Sequence, residues 1–293
     1  MITQDMADRL IELYVFVDDS SKEIDELANK YGYQLPSYEG KMSMSEVLTI
    51  LIFYHDSQYK CFKYYYTDMV QMRLKSYFPN TVSYKRLLTI ISRCIPHLCI
   101  LAKKRCAQSE ATQRYFIDSK KLPVCHNRRI HSHKVFDCLA SRGKSSTGWF
   151  FGFKIHLIIN NLGEIMNFCF TPANVADNNH ELLRKLTAKL KGRCFADKGY
   201  ISKIFEELYE RGFILLAKFR SNMKNALVRL DDKYGLAKRG LIESVNELLM
   251  TGCNIEHTRH RSPDNAFSHM LSALVAYSFR TEKPSIKFHV NPD

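Results

Sequence analysis

Arg193-Cys194-Phe195-Ala196-Asp197-Lys198-Gly199-Tyr200 is a short apolar run that ends in an aspartate, and its glycine permits a tight turn into the next segment. A helical pattern follows at 202–211, so the stretch predicts a strand feeding a helix. Tyr115-Phe116-Ile117-Asp118 has the same form earlier in the chain. Further runs rich in β-branched and aromatic residues occupy 149–159, 165–171 and 213–216. Asn160-Asn161-Leu162-Gly163 lies between the first two of these and predicts a hairpin turn. With a second helical pattern at 179–190, the segment 109–281 is expected to be α/β, a mixed sheet flanked by helices.

Upstream the texture is different. Leu10, Leu13, Tyr14 and Phe16, and then Val47, Leu48, Leu51, Ile52 and Tyr54, recur at three- and four-residue spacing, which predicts an all-α region over 1–108. Ser43 with Glu46 three residues on is a capping-box signature, and Pro79-Asn80 marks a break before a helix carrying Leu87, Leu88 and Ile91. Tyr64, Tyr65 and Tyr66 stand among Lys60, Lys63, Arg73, Lys75, Lys85 and Arg86. Core packing accounts for such tyrosines and a solvated face for such cations, but the mixture also suits phosphate contact. Residues 282–293 hold two prolines and little periodicity, and are expected to form a loose tail.

The 293 residues include 43 Lys and Arg against 30 Asp and Glu, a formal charge of +13. Between residues 101 and 150 alone, 11 basic residues face 3 acidic ones. A polyanion is the natural partner of such a chain, because neutralising phosphates releases counterions. Nine cysteines, an odd number without a Cys-x-x-Cys pair, read as reduced thiols rather than a disulfide framework or zinc site. The first eight residues are polar and acidic, and no apolar run approaches the roughly 18 residues of a membrane span. The expectation is a cytoplasmic protein with no membrane partner.

A single aspartate at a strand end is commonly a helix or turn cap. Two such strands side by side would place two like charges at one sheet edge, an arrangement that a divalent cation relieves. Glu243 borders an apolar stripe of Leu241, Val245, Leu248 and Leu249 at helical spacing, with Arg239 one turn earlier within ion-pairing reach. That spacing alone favours a surface ion pair. His257, His260 and His269 have metal-ligand side chains, but the first two lie in a stretch too basic for a favourable zinc site.

Taken in order, Phe116-Ile117-Asp118-Ser119, Ala196-Asp197-Lys198-Gly199-Tyr200 and Arg239-Gly240-Leu241-Ile242-Glu243-Ser244-Val245-Asn246 resemble the Asp, Asp, Glu set of bacterial insertion-sequence transposases. The likeness is closest to insertion-sequence family 982 and covers most of the chain. It extends through 122–127, 148–157, Thr171-Pro172-Ala173-Asn174-Val175 and 255–261. Related transposases often carry Tyr, Arg, Glu and Lys around the third acid. Here Arg239 and Glu243 match, Leu236 and Met250 stand at the Tyr and Lys places, and Tyr234 lies two residues before the former.

The resemblance implies a ribonuclease-H-like core and a magnesium requirement, with manganese as substitute. It makes Asp118, Asp197 and Glu243 the catalytic, metal-holding residues, and implies cleavage of double-stranded DNA at terminal inverted repeats with transfer of the freed 3′ end. It also implies a homodimer or higher oligomer in the synaptic complex. Lys154, Lys198, Arg239, Arg259 and Arg261 are the candidate DNA contacts, each also readable as an ordinary solvated charge. A metal-dependent nuclease that does not rejoin strands, a transposon-derived DNA-binding protein that no longer cuts, and a basic scaffold with no nucleic-acid role are the alternatives.

Overall fold

The computed structural model describes residues 3–36, 40–145, 148–201, 203–217, 229–256 and 259–288. The chain divides into two compact units, one of Met1–Arg105 with Leu249–Arg280, the other of Cys106–Leu248 with Thr281–Asp293.

The first unit is helical. It contains α1 (Gln4–Lys30), α2 (Met44–Phe53), α3 (Phe62–Tyr64) running into a π-helical stretch (Tyr65–Arg73), α4 (Tyr84–Ile91), most of α5 (Ile95–Gln108), and α10 (Pro263–Ser278). Leu10, Leu13, Val17 and Ile24 form the buried stripe of α1, which packs on α2. The expected capping box opens α2: Ser43 Oγ accepts from the Glu46 backbone N–H at 3.1 Å, and Glu46 Oε2 accepts from that of Ser43 at 2.6 Å. The tyrosine triplet divides. Tyr65 and Tyr66 are buried, with hydroxyls donating to the carbonyls of Ile50 and Val82, while Tyr64 is exposed.

Helix α10 starts at a Ser262 cap with Pro263 in its first turn and packs against α2 and α4. Sequence reasoning assigns 109–281 to one α/β segment, whereas Leu249–Arg280 packs with the N-terminal helices. The reason lies in α10: Ala266, Met270, Leu271, Ala273, Leu274, Val275 and Tyr277 are all buried, more surface than a one-sided helix covers, and a bundle provides the cover.

The second unit is the expected α/β layer structure. Its strands are β1 (Arg114–Cys125), β2 (Ser141–Ser145), β3 (Gly148–Asn160), β4 (Ile165–Pro172), β5 (Gly192–Ala196) and β6 (Phe213–Ala217). They form one mixed sheet in the order β2-β3-β1-β5-β6, with β4 also on β3. β2 pairs with the first residues of β3 and β4 with the remainder, both antiparallel, while β1 runs antiparallel to β3 and parallel to β5, which is parallel to β6. The predicted hairpin joins β3 to β4, and Gly163 in its turn has φ +73°.

Side chains alternate across this sheet. Tyr115, Ile117, Cys194, Ala196, Phe213 and Leu215 face α6 (His180–Thr187) and α7 (Phe205–Glu210), burying Leu182, Leu183, Leu186 and Leu208. Phe116 and Phe195, whose ring centroids lie 5.4 Å apart, face the other way, toward α8 (Leu230–Ala237) and α9 (Gly240–Glu247). Gly235 of α8 sits so close to the Phe195 ring that a Cβ there would lie 2.1 Å from it, so only glycine fits. Arg114–Asp231 at 3.0 Å and Arg193–Asp232 at 2.6 Å fasten α8 to β1 and β5.

Residues 282–288 have no regular secondary structure, yet they are not loose as the sequence suggests. Ile286 exchanges hydrogen bonds with Asn161, and Phe288 stacks on Phe195 with the Arg114 guanidinium 4.5 Å from its ring centre. An aromatic ring on an apolar surface holds the segment where periodicity gives no sign of it.

Candidate active site

Asp118 sits within β1 rather than at its end. Two residues earlier Phe116 pairs in register with Phe195 of the parallel strand β5. Asp197 follows β5 in extended conformation, φ −79° and ψ 166°, so the alternation continues through it. Asp118 and Asp197 therefore share the Phe116–Phe195 face at the same level of neighbouring strands, roughly 5 Å apart in backbone spacing. Asp197 is exposed and Asp118 is half-buried.

Helix α9 packs on β1 above this face, and its i, i+3 spacing sends two side chains to Asp118's neighbourhood. Asn246 Nδ2 donates to Asp118 Oδ2 at 3.1 Å. The Arg239 guanidinium, at the N-terminal cap of α9, lies 2.8 Å from Glu243 Oε1 and 3.9 Å from Asp118 Oδ1. One cation thus bridges the two acids that sequence reasoning places at a metal site. Glu243 itself remains 61% exposed.

Burial pushes the Asp118 carboxyl up to about 6, against the opposing pull of Arg239 and of the Ser119 backbone N–H, and the carboxylates of Asp177 and Glu243 add to the rise. Negative charge at Asp118 is therefore undercompensated in the protein alone. The Asn246 Oδ1 atom, buried beside it, has no hydrogen-bond partner.

Asp177, Tyr200 and Asn246 are residues of this site that sequence reasoning does not single out as functional. Asp177 takes an ion pair from Lys154 at 3.0 Å and lies 3.9 Å from His156 Nδ1. Lys154, a candidate phosphate contact, is thus engaged: it also donates to the Val175 carbonyl and is only 13% exposed. Tyr200 is fully buried, its hydroxyl held well above its ordinary pKa by burial and by the nearby Asp177 and Asp118. The available signals were positional. Asn246 lies three residues after Glu243, Tyr200 three after Asp197, and Asp177 two after the 171–175 motif.

Lys198 is exposed in the short 3-10 turn after Asp197. Arg259 and Arg261 belong to the helical unit, where both are exposed; His257 lies outside the described residues. All nine cysteines are free thiols. Among the described residues no helix is long and apolar enough to cross a membrane.

A layered α/β unit with carboxylates on one face of its central parallel strands, covered by a helix bearing a further acid, is the class of structure these residues build. Residues 108–263, more than half of the chain, match the transposase DDE domain family, and the chain belongs to that family. No curated protein matches it.

Domains of this family use divalent metal ions. The donor chemistry here fits such an ion: carboxylate oxygens are hard ligands, Asp118 carries an undercompensated charge, and Asn246 Oδ1 is an orphaned oxygen beside it. Among the described residues, however, no three His, Cys, Asp or Glu side chains are already gathered closely enough to hold a metal. Arg239 between Asp118 and Glu243 gives the physical reason, since a guanidinium is standing between two of the ligands.

Proposed function

We propose that this chain is the transposase of a bacterial insertion sequence of family 982, which binds the terminal inverted repeats of its element, cleaves the DNA at the ends and joins the freed 3′ hydroxyls to target DNA. The observation that carries this reading is the placement of Asp118 and Asp197 at one level on one sheet face, with Glu243 on the helix above, inside the family-matched segment.

Asp118, Asp197 and Glu243 would hold magnesium, or manganese in its place. Two such ions supply neutralisation of the charge that develops on attacking and leaving oxygens in an in-line phosphodiester displacement. Asn246 orients the Asp118 carboxylate by its hydrogen bond. Arg239 holds Glu243 and Asp118 until DNA arrives, and then its guanidinium is available to a phosphate, for which its bidentate geometry suits it. Lys154 fixes Asp177 close to Asp118, and Lys198, exposed next to Asp197, is placed to meet the DNA backbone. In the first reaction water breaks a P–O bond and releases a 3′ hydroxyl; in the second that hydroxyl attacks a target phosphate and displaces a 3′ oxygen.

In this reading the helical unit, Met1–Arg105 with Leu249–Arg280, recognises the element ends, and the unit built on Cys106–Leu248 carries the chemistry. The functional form is a homodimer or larger assembly that brings two ends together, associated with the nucleoid through its DNA. Incubation of the protein with magnesium, end-bearing DNA and a supercoiled target tests the proposal. Joined products support transposition; cleavage without joining identifies a nuclease; DNA binding without cleavage identifies a protein that has lost its chemistry.

A further inference from the structure

The helical unit contains a cavity of about 550 Å³. Its walls are aromatic: Tyr54 and Phe62 meet edge to face with centroids 5.2 Å apart, and Tyr84 lies 6.3 Å from Phe62. A line of imidazoles continues the lining, His269 standing 4.7 Å from His55 and 5.0 Å from His260. Lys63, Lys85, Arg259 and Arg261 also line the cavity; all four are exposed, and no aspartate or glutamate is among the described lining residues.

The inner groups are held by hydrogen bonds, and burial keeps His55 neutral. His55 is fully buried, its Nδ1 donating to the Cys253 carbonyl at 2.5 Å and its Nε2 2.9 Å from Ser272 Oγ. His269 Nε2 lies 2.8 Å from the Asn254 carbonyl oxygen. Burial raises Tyr54 to about 12, so its hydroxyl stays protonated. The result is an aromatic interior with exposed cations around it.

That pairing of surfaces matches one ligand chemistry: a flat, uncharged π system attached to phosphates. A membrane lipid also joins an apolar part to a phosphate, but its chains are long and flexible, whereas this cavity is ring-walled and of the size that small-molecule sites have. A base stacks on aromatic side chains whatever its identity, and the flanking phosphates seek Lys and Arg. The interior of a paired duplex cannot enter such a cavity, because its bases are covered by their neighbours.

We propose that this cavity is a receptor for a single unpaired nucleotide of a DNA strand, its base among Phe62, Tyr84 and Tyr54 and its flanking phosphates on Lys63, Lys85, Arg259 and Arg261. The inference rests on the DNA-binding part of the proposed function and adds to it the state of the DNA: a strand with a base out of its stack. Arg259 and Arg261 thereby act as clamps for that nucleotide.

The test uses the full chain and three fluorescently labelled oligonucleotides of one sequence: a paired duplex, the same duplex with one unpaired 2-aminopurine, and the single strand. The unpaired duplex is expected to bind at least about five-fold more tightly than the paired one, with a change in 2-aminopurine emission on binding. Tyr84→Leu, which keeps an apolar side chain at a half-buried position, should erase that preference and the emission change while leaving affinity for paired duplex within about two-fold. Lys85→Gln, at an exposed position, should weaken binding of the unpaired duplex and lower its salt slope by about one. Melting curves establish that both variants fold. Equal affinity for paired and unpaired duplexes, a preference that survives Tyr84→Leu, or saturation by free dTMP with no preference among the oligonucleotides overturns the receptor proposal. Loss of the preference alone, with duplex binding and cleavage intact, leaves the transposase reading standing; absence of binding to any DNA overturns both.

Discussion

Asn246 Nδ2 donates a hydrogen bond to Asp118 Oδ2 at 3.1 Å, joining a helix to the central strand of the sheet across 128 residues of sequence. The bond orients a carboxylate that burial makes costly to ionise, and it comes from the helix that carries Glu243. Asn246→Leu keeps the side chain's approximate volume and removes the donor. We expect cleavage to fall at least about ten-fold, since a carboxylate that can rotate is poorly placed for its task, while folding stability changes by about 1–3 kcal/mol. A pure loss of stability with unchanged cleavage per folded molecule would show that the bond does not position Asp118.

Asp118→Asn removes a charge that folding places in a half-buried site. Since the folded carboxyl is raised to about 6 from an ordinary 3.8, the ionised form costs on the order of 2–3 kcal/mol at neutral pH in the absence of metal. The variant should therefore melt at a higher temperature than the parent in the presence of a chelator. Magnesium should raise the parent's melting temperature and leave the variant's nearly unchanged. A variant that melts lower than the parent under chelator would contradict the account of Asp118 as a strained charge.

Arg239 separates a structural from a competitive role for its cation. Arg239→Gln takes positive charge from between Asp118 and Glu243, which should tighten manganese binding to the protein without DNA. The same change should weaken binding to cleavable DNA, because a phosphate contact is lost. Titration by isothermal calorimetry decides, and weaker manganese binding in the variant would rule out competition between guanidinium and metal.

Two buried histidines set an acid limit. His55 in the helical unit is held well below 6.5 by burial, followed by repulsion from His269; His156 in the α/β unit is lowered by burial, with Asp177 pulling the other way and Lys154 opposing protonation. Below about pH 6.5 the unfolded chain takes up protons that the folded chain refuses, so stability is full above that pH and falls as pH drops. The expected slope is about 1.4 kcal/mol per pH unit for each histidine. Asp118 acts with the opposite sign between about 6 and 3.8, so the loss should be steeper in Asp118→Asn. Urea denaturation between pH 7 and 5 measures it, and a stability that stays flat or rises over that range would contradict buried, neutral imidazoles.

Much of this architecture was legible where local chemistry decides structure. The hairpin turn at 160–163, the capping box at Ser43 and Glu46, and the apolar runs of β3 to β6 needed only neighbouring residues. Strand β2 was not legible: Ser141-Arg142-Gly143-Lys144-Ser145 has no apolar residue and is extended because β3 offers it an edge. β1 runs on through Lys120 and Lys121 to Cys125 for the same reason, since β3 pairs with it almost throughout. At the candidate site, the sequence suggested two aspartates at strand ends, which holds for Asp197 after β5 but not for Asp118, which lies inside β1 because β3 extends that strand. The Arg239–Glu243 pair was readable from its i, i+4 spacing, but the reach of Arg239 to Asp118, the Asn246 bond and the approach of Asp177 depend on how a helix and a loop settle on the sheet.

The most direct test of the central claim is magnesium-dependent cleavage of end-bearing DNA by Glu243→Gln, measured beside its affinity for the same DNA. Glu243 is 61% exposed, so an uncharged isostere should leave the fold intact. Losing one acid should leave the charge that grows at the cleaved phosphate less stabilised, a contribution worth several kcal/mol. The account predicts cleavage lower by at least about a thousand-fold, with DNA affinity equal to or slightly above the parent's. A Glu243→Gln protein that cuts as fast as the parent would show that Glu243 is not the third acid and that the proposed site is wrong.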